Sequence, residues 1–516
     1  GAKTNDILLG LLIGNLLAVL SWTFITSPIA VETRLSLYTY LNKIAGNKMS
    51  KLYDWANVLI FTVISAAMVT VSSSAVRFAF NIPAQLNWYP TNLWFVLIVI
   101  LVGLVVVAVS IYGFEAVSKF SNLCAPWLFT MFISGALVLL PALSLNVLGT
   151  TLPESWSSFI EIGDKSIWTG INSNGEPGLG LLEVIGFAWA ANTITHFGLI
   201  DMALLRFAKK KSYGLATSTG MLFGHYIAWV SAGIMGAGTA VIVGKGITLL
   251  DPGDVAYYAL GWSGFVIVIV AGWTTAITNL YRAGLAAQSV FTNLSRSMAT
   301  KIVGGLMIVV ACFPFVFTQI LPLLTYAGLI VVPVGAIVFA EHQLFPKIGL
   351  TRYWLSYQNK EVSVPAITAW LVGLIFGFGL NFLNVISFYY LFIPTWILTI
   401  IVYTILAKQY GAKESYDNEV KQAELRVIEI ERFQEQQGIE EKTHMIVRKT
   451  FLNSLLNKIA IIALGITLIL ALNTFLGSEG ESEYIANKEL FYRYGFLATI
   501  VYFIAAYFAQ PKTEHK

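Results

Sequence analysis

The sequence predicts an all-α integral membrane protein, and three observations carry the prediction. Of its 516 residues 57% are hydrophobic and only 12% charged, about half the charged share of a soluble domain. Apolar runs of bilayer-spanning length recur from one end of the chain to the other. The loops between them alternate between basic and neutral or acidic, as the positive-inside rule requires of a multi-pass chain.

About thirteen spans are expected, at residues 6–27, 55–80, 92–112, 120–143, 180–205, 214–243, 261–290, 301–317, 319–341, 364–384, 387–407, 456–477 and 489–509. The first is too long for a cleaved signal peptide, and its positive charges follow it instead of preceding it. Arg34, Lys43, Lys48 and Lys51 follow the first run and Lys119 the third. Arg206 with Lys209, Lys210 and Lys211 follows the fifth, Arg296 and Lys301 the seventh, and Lys347, Arg352 and Lys360 the ninth. These loops are expected on the cytoplasmic side of an inner or plasma membrane, which puts Gly1 outside.

Three regions follow. Residues 1–410 form a core of eleven spans, and residues 456–516 add two. Between them, residues 411–455 are the one long polar insertion, with charges from Lys421 to Lys442 spaced for i,i+4 pairs on a solvated cytoplasmic helix. Val420, Leu425, Ile428 and Ile430 offer that arm an apolar set for docking on the membrane face or on a partner.

Several function classes are excluded. Cys124 and Cys312 both lie in apolar runs, the histidines make no ligand pair, and no Walker-type phosphate loop is present. Nothing assembles a nucleophile, base and orienter, so the chain is not expected to be an enzyme. Its basic residues sit in short loops, which leaves no footprint for nucleic acid. The partners expected are the bilayer and a small-molecule substrate.

Polar residues inside the spans then point to a site. On a helix Ala271, Thr274, Thr275 and Thr278 share one face, about halfway across the membrane. Two readings are open: the hydroxyls bond back to their own helix, or they form the hard-oxygen surface that a sodium ion needs. The stretch from Gly186 to Asp201 is polar at its centre and flanked by glycines, the pattern of a helix broken at mid-membrane to bind substrate. Trp189 would supply a stacking face and Asn192 a donor and acceptor, or the Trp packs in a kinked helix. His196 reads as an interhelical bond or a proton relay. Asp201 and Arg282 are each too costly to leave unpaired in lipid. A charge pair between them, or from Arg282 to Glu115, competes with Arg282 binding an anionic substrate. Arg77 is expected to snorkel from a span end.

These stretches together resemble the nucleobase-cation symporter-1 family. Gly14-Asn15-Leu16-Leu17 with Thr33-Arg34-Leu35-Ser36 and Lys43 to Gly46 is similar to its second helix and following loop. Tyr112-Gly113-Phe114 through Ala125-Pro126, Asp201 to Arg206, and Leu324 to Pro333-Val334-Gly335 resemble its helices four to five, six and ten. The resemblance implies a LeuT-type inverted-repeat bundle that carries a nucleobase or related small heterocycle by sodium-coupled symport. It places sodium at Ala271, Thr274 and Thr275, with Asn279-Leu280-Tyr281 as the polar turn beyond. Substrate would lie among Trp189, Asn192, Asn279, Met68 and Ser72. Met68 and Ser72 stand where family members have a stacking Trp and an amide, Ala276 where many have Asn, and Arg282 where a small residue is common. The family's first helix has no counterpart before Gly1. An amino acid, osmolyte or small carboxylate is the alternative cargo, and a non-transporting sensor or scaffold subunit the alternative class.

Overall fold

A computed structural model describes residues 1–438 and 451–510, apart from residues 86 and 173 and the side chains of residues 193–196, 248, 321, 322 and 325. In hydrocarbon every backbone N–H and C=O must be satisfied within its own segment, and the apolar runs accordingly form helices. They are α1 (Thr4–Thr33), α2 (Leu37–Ala45), α3 (Asn47–Phe78), α4 (Leu93–Ile111), α5 (Phe114–Leu148), α6 (Leu181–Phe197), α7 (Lys211–Val243) and α8 (Pro252–Leu260). Then come α9 (Trp262–Val290), α10 (Arg296–Ala311), α11 (Ile320–Phe339), α12 (Val364–Phe382), α13 (Phe388–Tyr410), α14 (Glu419–Gln436), α15 (Phe451–Leu476) and α16 (Glu481–Ala509).

Among the described residues eleven helices are long and apolar enough to cross a membrane, against about thirteen expected spans. All thirteen runs are helical, but two fall short. Helix α6 has 17 residues, and the chain leaves it at Gly198–Asp201 with Leu199 at φ 64°. Helix α10 has 16 residues, about 24 Å of rise against a hydrocarbon core of about 30 Å.

A repeat organises the bundle. The succession of a long helix, a short one and three more helices occurs as α1 to α5 and again as α7 to α11. Its counterparts α3 and α9 lie antiparallel. The Ser65 hydroxyl donates to the Ala276 carbonyl at 2.9 Å, the Ser72 hydroxyl to Ile269 at 3.2 Å, and Arg77 pairs with Asp251 at the far end. The two halves are therefore inverted relative to each other, with α2 at the end bearing the basic loops and α8 at the acidic end.

Small residues set the close approaches. A Cβ on Gly14 would lie 2.5 Å from the Ile185 carbonyl oxygen, and one on Gly10 would lie 2.6 Å from the Val184 side chain. This glycine pair, four residues apart, lets α1 pack backbone to backbone on α6, where interhelical hydrogen bonds can form. Arg77 does not snorkel. It is buried and bonds Asp251 and, at 3.4 Å, Asp254, because the start of α8 brings a capping box of two carboxylates over the end of α3.

The last two spans pair with each other and lean on α5, where Trp127 donates to Thr499 at 3.2 Å and Tyr502 to the Leu123 carbonyl at 2.8 Å. Helix α14 lies across the basic end. Lys43 pairs with Glu429 at 3.0 Å, and Arg426 sits 4.5 Å over the Tyr353 ring and bonds the Tyr357 hydroxyl at 2.9 Å. Residues 439–450 of the expected arm lie outside the described residues.

Candidate functional site

The antiparallel α3/α9 seam, the break after α6, and the middle of α7 meet around a cavity of about 460 Å³. From α9 come Thr275, Asn279 and Arg282, at a spacing of four and three residues that keeps all three on one face. From α3 come Phe61, Ile64 and Met68. Phe187, His225 with Trp229, and Phe388 with Tyr389 supply aromatic walls from α6, α7 and the start of α13. The His225 and Trp229 rings stack at 4.8 Å. The cavity is thus a largely apolar slot with a few convergent polar groups, the usual composition of a small-molecule site.

The structure brings four of the expected residues, Met68, Thr275, Asn279 and Arg282, to this one cavity. Others lie off its described lining. Trp189 points from α6 toward α1, donating to the Ser21 hydroxyl at 3.3 Å and meeting Phe392 edge-on at 5.1 Å. Its neighbours Ala190 and Ala191 line the slot in its place. Asn192 is fully buried and donates to Asn15 of α1 and to the Ala188 carbonyl, both at 2.7 Å. Ser72 is buried in the α3/α9 seam, where its hydroxyl bonds the Met68 and Ile269 carbonyls. The side chain of His196 lies outside the described residues.

The threonines of α9 donate within their own helix. Thr274 and Thr275 both bond the Ala271 carbonyl, at 2.9 and 3.3 Å, and Thr278 bonds the Thr274 carbonyl at 2.7 Å. A hydroxyl that gives away its proton in this way keeps lone pairs to offer, so this back-bonding is compatible with a cation. Thr275 is the exposed member. The two hydroxyls suit part of a sodium shell, the remaining oxygens of which must come from elsewhere.

Arg282 carries the site's charge. It is buried and donates to Asp201 at 2.5 Å, with both side chains under a tenth exposed. Glu115, the other acid considered for it, pairs with Lys119 at 2.7 Å. The Phe61 ring lies 5.9 Å from the guanidinium carbon. Asn279 donates to the Thr275 carbonyl at 2.8 Å, which aims its carbonyl oxygen away from its own helix turn.

The break after α6 positions Asp201. With Leu199 in the left-handed region, the chain turns and restarts at Met202, so the carboxylate enters the bundle directly opposite Arg282. Sequence reasoning missed the walls Phe187, Trp229, Phe388 and Tyr389. A small signal was available in the aromatic run Phe388-Tyr389-Tyr390 at the mouth of a span, where a lipid-interface belt is the ordinary reading.

Comparison of structures finds this fold in solved transporters. Mhp1, a nucleobase-cation-symport-1 family transporter in a closed conformation with bromovinylhydantoin bound, superposes with a TM-score of 0.59 at 14% identity, over 82% of this chain and 89% of that one. Inward-facing Mhp1 gives 0.57 over 82% and 88%. A sodium-coupled sialic acid symporter in a substrate-bound outward-open state gives 0.52 at 13% identity, over 78% and 84%. By sequence, no family model and no curated protein matches the chain. The fold is shared: an all-α, multi-pass membrane bundle of the LeuT type.

Proposed function

We propose that the protein is a secondary active transporter that couples the sodium gradient to symport of a small uncharged heterocycle of the nucleobase class, by alternating access. The observation that carries this reading is the slot itself. Thr275, Asn279 and Arg282 project from one face of α9 into a space walled by Phe61, Phe187, Trp229 and Tyr389. Flat rings stack on such walls, and the amide of Asn279 pairs with the donor and acceptor edge of a heterocycle. The bond to Asp201 supports an uncharged cargo, since a guanidinium already neutralised at 2.5 Å has little attraction left for a carboxylate. Solved structures that share the fold include a nucleobase-cation-symport-1 family transporter and a sodium-coupled sialic acid symporter, which agrees with this reading. Sodium would share the cavity edge through Thr274 and Thr275, beside the Ala271 carbonyl.

The test is thermal stabilisation of the purified protein by nucleobases, amino acids and small acids, each with and without sodium. A ligand at a hundredfold over its Kd stabilises the fold by about 2.7 kcal/mol. Sodium-dependent stabilisation by one heterocycle, lost in Thr275→Val, is expected. Indifference to sodium and to every compound would refute the coupled site, and stabilisation by acids alone would overturn the uncharged cargo.

A further inference from the structure

Asp54 is a buried acid that the slot does not use. Asp54 lies near the start of α3, at the basic end of the α3/α9 seam, and is fully buried. Its Oδ2 accepts from the Ser50 hydroxyl at 3.3 Å, the Ser289 hydroxyl of α9 faces the same carboxyl, and Oδ1 makes no hydrogen bond. Three residues on, and so on the same face of α3, Asn57 is also fully buried. Its amide donates to the Tyr53 carbonyl at 2.9 Å while its Oδ1 has no partner.

The titratable groups facing Asp54 from the surrounding elements are Tyr38 of α2 and Tyr53 of α3 itself, and Tyr38 in turn neighbours Arg282 of α9. None neutralises a carboxylate. Arg282 is engaged by Asp201, and Tyr38 turns its hydroxyl toward the Arg282 carbonyl at 3.5 Å. Burial pushes the Tyr38 phenol well above its ordinary range, so it keeps its proton and cannot serve as a counter-charge. An ionised carboxylate buried without a cation is among the costliest arrangements in a protein. A proton removes that cost and needs no cavity. It also turns the orphan Oδ1 of Asp54 into a donor, for which the orphan Oδ1 of Asn57, on the same face of α3, is the acceptor we assign.

We propose that Asp54 is a proton-binding site of the transport cycle, neutral while the basic end of the seam is sealed and giving its proton to water when that end opens. The step breaks one carboxyl O–H bond, leaves a carboxylate and makes a hydronium ion. It extends the symport reading above by adding a proton to the sodium-coupled cycle.

The experiment is infrared spectroscopy of the purified protein, which requires no transport and no substrate. Wild type at neutral pH is expected to show a protonated-carboxyl band that Asp54→Asn lacks. The amide variant is isosteric, and a thermal melt verifies that it folds. Asn57→Ala, which takes away the acceptor, is expected to keep the band at a shifted frequency, and this arm stands even if Asp54→Asn does not fold. No Asp54-dependent band, a band that sodium displaces at constant pH, or one indifferent to Asn57→Ala would each overturn the proton site. Sodium displacement would instead assign the carboxyl to a metal cation. Failure of the heterocycle and sodium screen would leave the band untouched, so the two ideas fail separately.

Discussion

Replacing Asp201 or Arg282 alone should be far more damaging than replacing both. At 2.5 Å, and with an effective dielectric of about 20, the two charges attract by about 7 kcal/mol. Most of that is offset by the cost of taking both out of water. The pair's net worth is therefore small, whereas the charge left behind when one partner goes has lost the opposite charge that offset its burial. Arg282→Met or Asp201→Leu alone should cost about 3–5 kcal/mol, and the two together should return to within about 1 kcal/mol of wild type. The assay is reversible unfolding in mixed micelles, read as a double-mutant cycle. If either single substitution costs under about 1 kcal/mol, or if the two costs simply add, then the charges are hydrated and the end of the slot is not sealed. The uncharged-cargo argument would fall with that result.

Three further outcomes follow from packing. Gly14→Val should disrupt the α1/α6 contact by well over the 1–3 kcal/mol typical of overpacking, because its Cβ would lie 2.5 Å from a backbone oxygen that cannot yield; lowered thermal stability and yield would report it. Asn192→Ala, which breaks the bond to Asn15, should cost only about 1 kcal/mol and leave sodium-dependent stabilisation in place, since neither residue lines the slot. Arg426→Ala should release α14, seen as faster proteolysis within it, whereas Lys43→Ala removes a surface pair worth about 0–1 kcal/mol and should change the cleavage rate little.

Much of this was legible in the sequence for a simple reason. A membrane span has one strong period, and polar residues on it are too costly to be accidental, so Thr274, Thr275, Asn279 and Arg282 could be singled out and the threonines put on one face. The same logic made Asp201 a candidate partner for Arg282. Distance in sequence hid the rest. Trp229, Phe388 and Tyr389 become walls only through the packing of α7 and the start of α13 against the seam, and an aromatic in a span looks the same whether it faces lipid or a slot. Trp189 shows the converse. Its neighbours Ala190 and Ala191 line the slot, so a rotation of about 100° per residue along α6 decides which residue enters. The docking of α14 was hidden because Tyr353, one of the rings under Arg426, is presented by a left-handed turn with φ 60°, which a run of aromatic and polar residues does not announce.

The placement of buried charge bears on how such a bundle would alternate. Helices α3 and α9 are repeat counterparts, and each carries one buried arginine. Arg77 of α3 is tied to Asp251 at the acidic end and Arg282 of α9 to Asp201 toward the basic end. Between them the recorded bonds across the seam are hydroxyl to carbonyl, from Ser65 and Ser72, and hydroxyls can re-pair with neighbouring carbonyls at small cost. Opening the acidic end would therefore strain one ion pair while the other stays closed, and opening the basic end would do the reverse. Opening both at once would expose two pairs and cost about twice as much. On that argument Arg77→Met should favour the conformation open at the acidic end, Arg282→Met the one open at the basic end, and cysteine accessibility at Ser72 and at Ser289 should move in opposite directions in the two variants. Accessibility that rises at both positions in either variant would show that the two ends are not coupled through the seam.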